Sequence, residues 1–167
     1  TLFGILEKEG KYNIYQAAPI PEWAKDERKK ITTNDLLHMN SGLEWNEDYG
    51  AISDVTTMLF QAEDMTRSQL EKPLAFQPNA HWNYSSGTTN LLSGILRKQF
   101  RSHQEYLDFW YSALIDKIGM HSMLVETDMA GNYVGSSYGW ATTRDWAKFG
   151  LLYLHEGNWR GEQLFKP

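Results

Sequence analysis

The stretch Trp82-Asn83-Tyr84-Ser85-Ser86-Gly87-Thr88-Thr89-Asn90 is a polar, hydroxyl-rich loop that leads directly into an apolar segment. Apolar residues repeat in that segment at helical spacing, at Leu91, Leu92, Ile95, Leu96 and Phe100. In one interpretation, Ser86 or Thr88 caps the helix and Tyr84 packs beneath it. In the other, these hydroxyl groups belong to a reactive site. The pattern alone leaves both interpretations open.

Helical patterns also dominate the sequence on either side of this stretch. Residues 11–30 lack periodicity and contain two prolines, which favours a surface loop. Residues 123–127 and 132–135 flank Met129-Ala130-Gly131 and predict a small β-hairpin. The expected fold class is therefore mainly α with a small β-hairpin. Apolar spacing and capping boxes predict the other helices over residues 1–9, 53–62 and 64–71, and after Thr32, Ser102 and Thr142.

Composition restricts the partners and the chemistry. The chain of 167 residues has a net charge of -5, which argues against a nucleic-acid partner. It has no cysteine, so disulfides, thiol catalysis and cysteine metal sites are excluded. The five histidines lack close mutual spacing, so we expect no metal site. The sequence has no glycine-rich phosphate loop, and we expect no cofactor. No apolar run approaches the ~18 residues of a membrane span.

The sequence also lacks an evident nucleophile. No serine is followed by a lysine three residues later, so a Ser-x-x-Lys arrangement is absent. The chain opens at Thr1 within an apolar pattern that looks like a helix already under way, at Leu2, Phe3, Ile5 and Leu6. We therefore expect the natural N-terminus to lie further upstream.

Five stretches together resemble one family. The spacing Pro78-x-x-x-Trp82-x-Tyr84-Ser85-Ser86-Gly87 is similar to the second active-site motif of class C β-lactamase and penicillin-binding-protein-like serine hydrolases. The resemblance follows the order and spacing of the family over essentially the whole chain. It is nearest to the esterase, peptidase and nylon-oligomer-hydrolase branch. The other similar stretches are residues 2–10, 31–43 and 118–120, and Gly135-Ser136-Ser137 with residues 143–150.

The resemblance implies that residues 1–167 are a single domain, a fragment of a larger serine-hydrolase domain. They would form the helical subdomain of the β-lactamase and transpeptidase-like α+β fold, with most of the central sheet missing. The Ser-x-x-Lys of the family would precede Thr1, and its third motif would follow Pro167, so the chain would be inactive alone. The family often has glycine where this sequence has Asn79, and asparagine also tolerates a left-handed turn.

Chemical roles follow from the same resemblance. A serine hydroxyl is a poor nucleophile until a base takes its proton, and a phenolate is costly at neutral pH unless a nearby ammonium group stabilises it. In the resembled mechanism, Tyr84 relays the proton as general acid and base. Ser86 would hydrogen-bond the lysine or the substrate amide. The implied reaction is hydrolysis of an amide or ester bond through an acyl-enzyme.

Four residues are candidates for substrate binding. Gly135, Ser136 and Ser137 either lie at the edge of the cleft or form a turn that closes the hairpin. Trp82 either lines the substrate groove or packs in the core.

Two other functions fit the same sequence. One is a non-catalytic sensor on a penicillin-binding scaffold, because fold does not fix function. The other is a helical interaction module with an accidental tyrosine loop. For the enzyme, the expected partner is a small-molecule amide or ester, and the surface left open by the missing sheet would allow self-association. An extracytoplasmic, periplasmic bacterial location is common in such families, and the sequence itself leaves the compartment open.

Overall fold

The computed structural model describes residues 1–166. The mainly α fold is confirmed, and two small antiparallel hairpins accompany the helices. Two 3₁₀ helices, Pro21–Lys25 and Glu27–Lys30, and a π-helical turn, Tyr111–Ile115, complete the regular structure of this range. The α-helices are α1 (Leu2–Lys8), α2 (Thr33–Leu37), α3 (Asp54–Gln61), α4 (Met65–Leu70), α5 (Ser86–Arg97), α6 (His103–Trp110) and α7 (Thr143–Leu154). The strands are β1 (Leu124–Val125), β2 (Gly139–Trp140), β3 (Asn158–Trp159) and β4 (Glu162–Gln163).

The chain divides into two compact units. The first comprises Ile14–Lys98 and Glu126–Tyr138, and the second comprises Thr1–Asn13, Gln99–Val125 and the segment from Gly139 onward. Such units are also found as parts of one domain, so the single-domain organisation stays a prediction.

Helix α5 is the central element of the first unit, where α2, α3 and α4 all contact it. Its apolar face is buried, as helical spacing predicts, through Leu91, Leu92, Ile95 and Leu96. A further buried cluster consists of Trp45, Val55, Met58, Met65 and Val134. Burial of each large apolar side chain contributes roughly 1.5–3 kcal/mol relative to exposure. The first turn of α5, which carries Ser86, is therefore fixed from several sides.

Side-chain caps determine where α2 begins. Thr32 Oγ1 accepts a hydrogen bond from the Asp35 N–H at 3.0 Å, and Asp35 accepts one from the Thr32 N–H at 2.8 Å. This reciprocal pair is the capping box that the sequence predicts. A cap of this kind stabilises its helix by ~1 kcal/mol.

In the second unit, α1 packs near the π-helical turn and buries an apolar face. Gly10 follows the helix with φ +69°, as expected for a glycine at a helix C-terminus. Ser102 and Thr142 each cap their helix as N-cap residues. The prediction that each cap is a reciprocal capping box is wrong. Glu105 accepts instead from the Arg101 N–H, and Asp145 accepts from the Ser122 N–H.

The hairpin differs from its prediction. Strand β1 pairs with β2, in the register Leu124↔Trp140 and Val125↔Gly139, and not with residues 132–135. The predicted partners are joined instead by an isolated bridge, Thr127↔Tyr133. A strand of two residues has no alternation to detect, so the pattern could not identify the true partner.

A second hairpin, β3 with β4, was not predicted. Its two-residue turn consists of Arg160 at φ +52° and Gly161 at φ +92°. Two positive φ angles suit the twist of a tight hairpin, but Asn-Gly or Asp-Gly is the recognisable signal for such a turn.

Candidate active site

The chain ahead of the Tyr84 loop is fixed at Gly42. The N–H groups of Ala75 and Phe76 both donate to the Gly42 carbonyl, at 2.9 and 3.1 Å. Gly42 has φ +79°, and a Cβ there would lie 2.3 Å from the Phe76 carbonyl oxygen. Only glycine allows this approach of two backbone segments.

The loop itself is held by further main-chain bonds. The Asn79 N–H donates to the Asn40 carbonyl and the Asn83 N–H donates to the Met39 carbonyl, both at 2.8 Å. Asn79 has φ +66°, which is the left-handed turn expected at this position. The backbone therefore determines where Tyr84 lies.

Ser85, and not Ser86 or Thr88, caps α5. Its Oγ accepts from the Thr88 N–H at 2.9 Å and donates to Gln69 Oε1 at 3.1 Å. The prediction that Ser86 or Thr88 is the cap is therefore wrong. Ser86 is the first residue of α5, and Tyr84 directly precedes the cap.

Tyr84 and Trp82 both lie at the surface of the first unit. Tyr84 is 48% exposed and Trp82 is 64% exposed. The predictions that Tyr84 packs beneath the helix and that Trp82 packs in the core are therefore both wrong. An exposed phenol and an exposed indole therefore lie two positions apart in this loop.

Glu47 joins a separate loop to the start of α5. Its Oε1 accepts from the Ser86 hydroxyl and from the Tyr49 hydroxyl, the latter at 3.0 Å. Its Oε2 accepts from Trp45 Nε1 and from the Ser86 N–H, the latter at 3.0 Å. All four partners are donors, as an ionised carboxylate requires, and a negative charge is favourable at a helix N-terminus.

The loop that carries Glu47 is ordered by its own hydrogen bonds. The Asn46 N–H donates to Asp54 at 2.9 Å, and the Asp48 N–H donates to Asn46 Oδ1 at 3.0 Å. Ser53 Oγ donates to the Asp48 carbonyl at 2.6 Å. These bonds hold the backbone on both sides of Glu47.

Tyr49 is the phenol that donates to this carboxylate. The hydrogen bond with Ser86 acts to lower the pKa of Tyr49, but partial burial, the hydrogen bond to Glu47 and the charges at Glu47 and Tyr84 outweigh it. The pKa of Tyr49 is therefore raised above its ordinary value, and Tyr49 stays a neutral donor to Glu47 at neutral pH.

Ser86 is 1% exposed, and its hydroxyl proton points to Glu47. Its neighbour Tyr84 is half exposed. The two residues of the motif therefore differ in accessibility, with the phenol at the surface and the serine inside.

Gly135, Ser136 and Ser137 form a turn, as one of the two interpretations predicts. Asn90, one helical turn after Ser86, donates from Nδ2 to Ser136 Oγ at 3.2 Å, and Ser136 Oγ lies 3.2 Å from Ser137 Oγ. Gly135 and Ser137 are exposed. The structure thus ties this turn to the same helix that begins at Ser86.

Gly135-x-Ser137-x-Gly139 has the spacing of a nucleophile elbow. An elbow places its serine between a strand and a helix. Here Ser137 lies in a turn, and the short strand β2 follows it. This geometry does not support Ser137 as a nucleophile.

Within residues 1–166, no group of three or more histidine, aspartate or glutamate side chains is placed to hold a metal ion. None of the helices in that range is long and apolar enough to cross a membrane.

A family model described as beta-lactamase matches residues 1–164. The chain belongs to the beta-lactamase family. The resemblance based on the Tyr84 motif and its neighbouring stretches is therefore confirmed, and members of this family are hydrolytic serine enzymes. A comparison with curated proteins finds no significant match.

Solved structures confirm the fold of this beta-lactamase-family chain. A protein from Bacillus anthracis assigned by name to the 6-aminohexanoate-dimer hydrolases superposes with a TM-score of 0.80 at 21% identity, covering 99% of this chain and 48% of its own. A penicillin-binding protein from Bacillus halodurans gives 0.66 at 17% identity, with coverages of 99% and 58%. A class C beta-lactamase in complex with cefoxitin gives 0.65 at 16% identity, with coverages of 98% and 49%. The chain spans about half the length of the structures that it matches.

Sequence reasoning did not identify Glu47 or Asn90 in this beta-lactamase-family chain. Glu47 lies in an irregular loop 39 residues from Ser86, and no local pattern links the two. Asn90 has a clearer signal, since a polar residue interrupts the buried face of α5 four residues after Ser86. A buried asparagine needs partners, which is a reason to look for a site near it.

Proposed function

We propose that this chain supplies the tyrosine side of the active site of a serine hydrolase that cleaves an amide or ester bond through an acyl-enzyme. The observation that carries the proposal is the exposed Tyr84 phenol at the start of α5, on a loop held by main-chain hydrogen bonds. General acid and base catalysis requires such a group, fixed in position and open to the substrate.

In the proposed reaction, Tyr84 accepts the proton of a nucleophilic serine that lies outside these 167 residues. The serine oxygen then attacks the substrate carbonyl, and Tyr84 passes the proton to the leaving amine or alcohol as the acyl-enzyme forms. Water releases the acyl group by the reverse sequence of proton transfers. A lysine next to the nucleophile, as the family resemblance implies, lowers the cost of the phenolate.

Ser86 is the proposed hydrogen-bonding partner within this motif. Its burial and its bond to Glu47 support a role inside the site rather than at its surface. Trp82 supplies an exposed aromatic surface for the substrate, and Gly135, Ser136 and Ser137 contribute a polar turn. The similar structures include one named as a 6-aminohexanoate-dimer hydrolase and one in complex with cefoxitin, which supports a hydrolysable small molecule as the substrate.

The test is hydrolysis of a p-nitrophenyl ester by the full-length protein that contains this chain. Tyr84→Phe removes the proton-transferring oxygen and keeps the ring, so we expect kcat/KM to fall about 100-fold or more. Tyr15→Phe is the matched control, because Tyr15 is an exposed tyrosine outside the loop. An undiminished rate in Tyr84→Phe would exclude the proposed role and favour a non-catalytic sensor or interaction module.

A further inference from the structure

We propose that Glu47 is a positioning residue for the Tyr84-Ser85-Ser86 motif, which sets the direction of the Ser86 hydroxyl and the place of the first turn of α5. This inference rests on the proposed hydrolase function. Glu47 does not need to touch the substrate for this role. It acts through Ser86, which it contacts at both the backbone N–H and the side-chain hydroxyl.

The hydrogen-bond directions around Glu47 carry the first step. A carboxylate only accepts, so the Ser86 hydroxyl must donate to it. While Tyr49 is neutral, the single proton of that hydroxyl is committed to Glu47, and Ser86 can only accept from any other group. The hydrogen bond by which Ser86 lowers the pKa of Tyr49 is one that it donates to the phenolate. Ser86 therefore cannot donate to a substrate carbonyl, and a hydrogen bond to a lysine ammonium or an amide N–H remains compatible with its geometry.

The second step is that both carboxylate oxygens are needed. Oε2 serves two N–H donors, Trp45 Nε1 and the Ser86 backbone, and neither can change direction. Oε1 serves two hydroxyls, those of Ser86 and Tyr49, which can rotate. A glutamine at position 47 must keep its oxygen on the N–H side and turn its NH₂ to the hydroxyls. Glu47→Gln therefore reverses the Ser86 hydroxyl with little change of shape.

The kinetic test uses Glu47→Gln in the full-length protein with a p-nitrophenyl ester. We expect kcat to fall about tenfold or more while KM changes little, because a misdirected group near the reacting atoms costs rate. Glu44→Gln, an exposed glutamate of the same loop, is the matched control and should leave both constants unchanged. A kcat of Glu47→Gln equal to that of the unsubstituted protein overturns the proposal.

A spectroscopic test does not depend on activity. Titration of tyrosine followed by ¹³Cζ NMR, with Tyr49→Phe to assign the signal, reports the phenol that shares Glu47. In Glu47→Gln the midpoint of Tyr49 should move to lower pH, because the hydrogen bond and charge of Glu47 raise the pKa of Tyr49. The Ser86 hydroxyl, which no longer donates to residue 47 in this variant, acts in the same direction because its hydrogen bond lowers the pKa of Tyr49, and Tyr84 is unchanged. An unchanged midpoint overturns the assignment of Glu47.

Two further outcomes separate this inference from the proposed function. If Tyr84→Phe keeps its rate, the hydrolase proposal fails, whatever Tyr49 does. If Tyr84→Phe loses its rate and Glu47→Gln keeps it, only the role of Glu47 fails.

Should Glu47→Gln not fold, Glu47→Asp decides the question, because it keeps the charge on a shorter side chain. A folded Glu47→Asp protein with lowered kcat supports the role, and one with unchanged kcat overturns it.

Discussion

Gly87 shows how closely the start of α5 packs. A Cβ at this position would lie 2.5 Å from Cζ3 and 2.6 Å from Cη2 of the Trp45 ring, and 2.8 Å from Gln69 Oε1. Trp45 is buried and donates to Glu47, so the ring cannot move without disturbing the network at Ser86. The second residue of α5 is therefore restricted by packing and not by backbone conformation.

From this contact we expect Gly87→Ala to lower the free energy of unfolding by about 1–3 kcal/mol, as overpacking of a core does. Urea denaturation measures it. Gly150→Ala is the matched control, because Gly150 lies in α7 and an added Cβ meets nothing within 4 Å. In that helix, alanine should be more stable than glycine by roughly 0.5–1 kcal/mol. Equal destabilisation of both variants would contradict the argument.

At the residue scale, sequence patterns predicted a left-handed turn at Asn79, which the structure confirms. They also predicted a catalytic role for Tyr84, which stays a prediction. They did not predict Glu47, because its contact with Ser86 depends on how two distant loops fold. The predicted cap, Ser86 or Thr88, lies one or three residues after the true cap at Ser85. Ser85 and Ser86 are adjacent hydroxyls, and the sequence does not show which of them lies outside the helix.

Among the elements, α7 is anchored through one carboxylate. Asp145 accepts from Lys148 at 2.6 Å, and from the Ser122 hydroxyl and N–H at 2.6 and 2.8 Å. The bond to Lys148 is the largest cause, followed by those to Ser122, and together they hold the pKa of Asp145 well below its ordinary value of 3.8. A lowered folded-state pKa stabilises the fold above the ordinary value, and the contribution disappears as pH falls through the folded-state pKa.

Asp145→Asn should therefore lower the stability of the protein at neutral pH. The difference from the unsubstituted protein should shrink as the pH falls below 3.8, where the carboxylate begins to lose its advantage. Thermal unfolding across this pH range measures the effect. Asp116→Asn, at an exposed aspartate, is the matched control for the loss of one carboxylate. A constant difference between Asp145→Asn and the unsubstituted protein at every pH would show that the charge is irrelevant.

Helices were predictable to within a few residues because apolar spacing and caps are local signals, as α3 and α5 show. Strand pairing could not be predicted in this way. The partner of β1 is found beyond an inner loop, at β2, and each strand has two residues. Such short pairs are determined by tertiary packing, which propensity and alternation do not contain.

For the whole molecule, the chain spans about half the length of similar solved structures and has large apolar side chains at its surface. In α7, Leu151 is 44% exposed and Leu154 is 73% exposed. Leu151 and Leu154 are three positions apart and so lie on the same side of the helix, and neighbouring exposed apolar residues favour association. We therefore expect the 167-residue chain to self-associate as its concentration is raised, and Leu154→Glu to weaken this association.

Sedimentation velocity measures the self-association. Ile52→Glu, at a residue 92% exposed in the other unit, is a control for the general effect of an added charge. A monomer at every concentration would contradict the expectation. If both substitutions weaken the self-association equally, the cause is the added negative charge and not the surface of α7.

The main-chain bonds that hold the Tyr84 loop have a consequence for sequence variation. Bonds from Asn79 and Asn83 N–H groups to the carbonyls of Asn40 and Met39 do not depend on which side chains the loop carries. Saturation mutagenesis of residues 76–83 should therefore tolerate most replacements other than proline, except at Asn79, whose φ is +66°, and at Trp82, the proposed substrate contact, whereas Gly42 should tolerate almost none. A loop with this division can change the surface that it exposes while the tyrosine keeps its place.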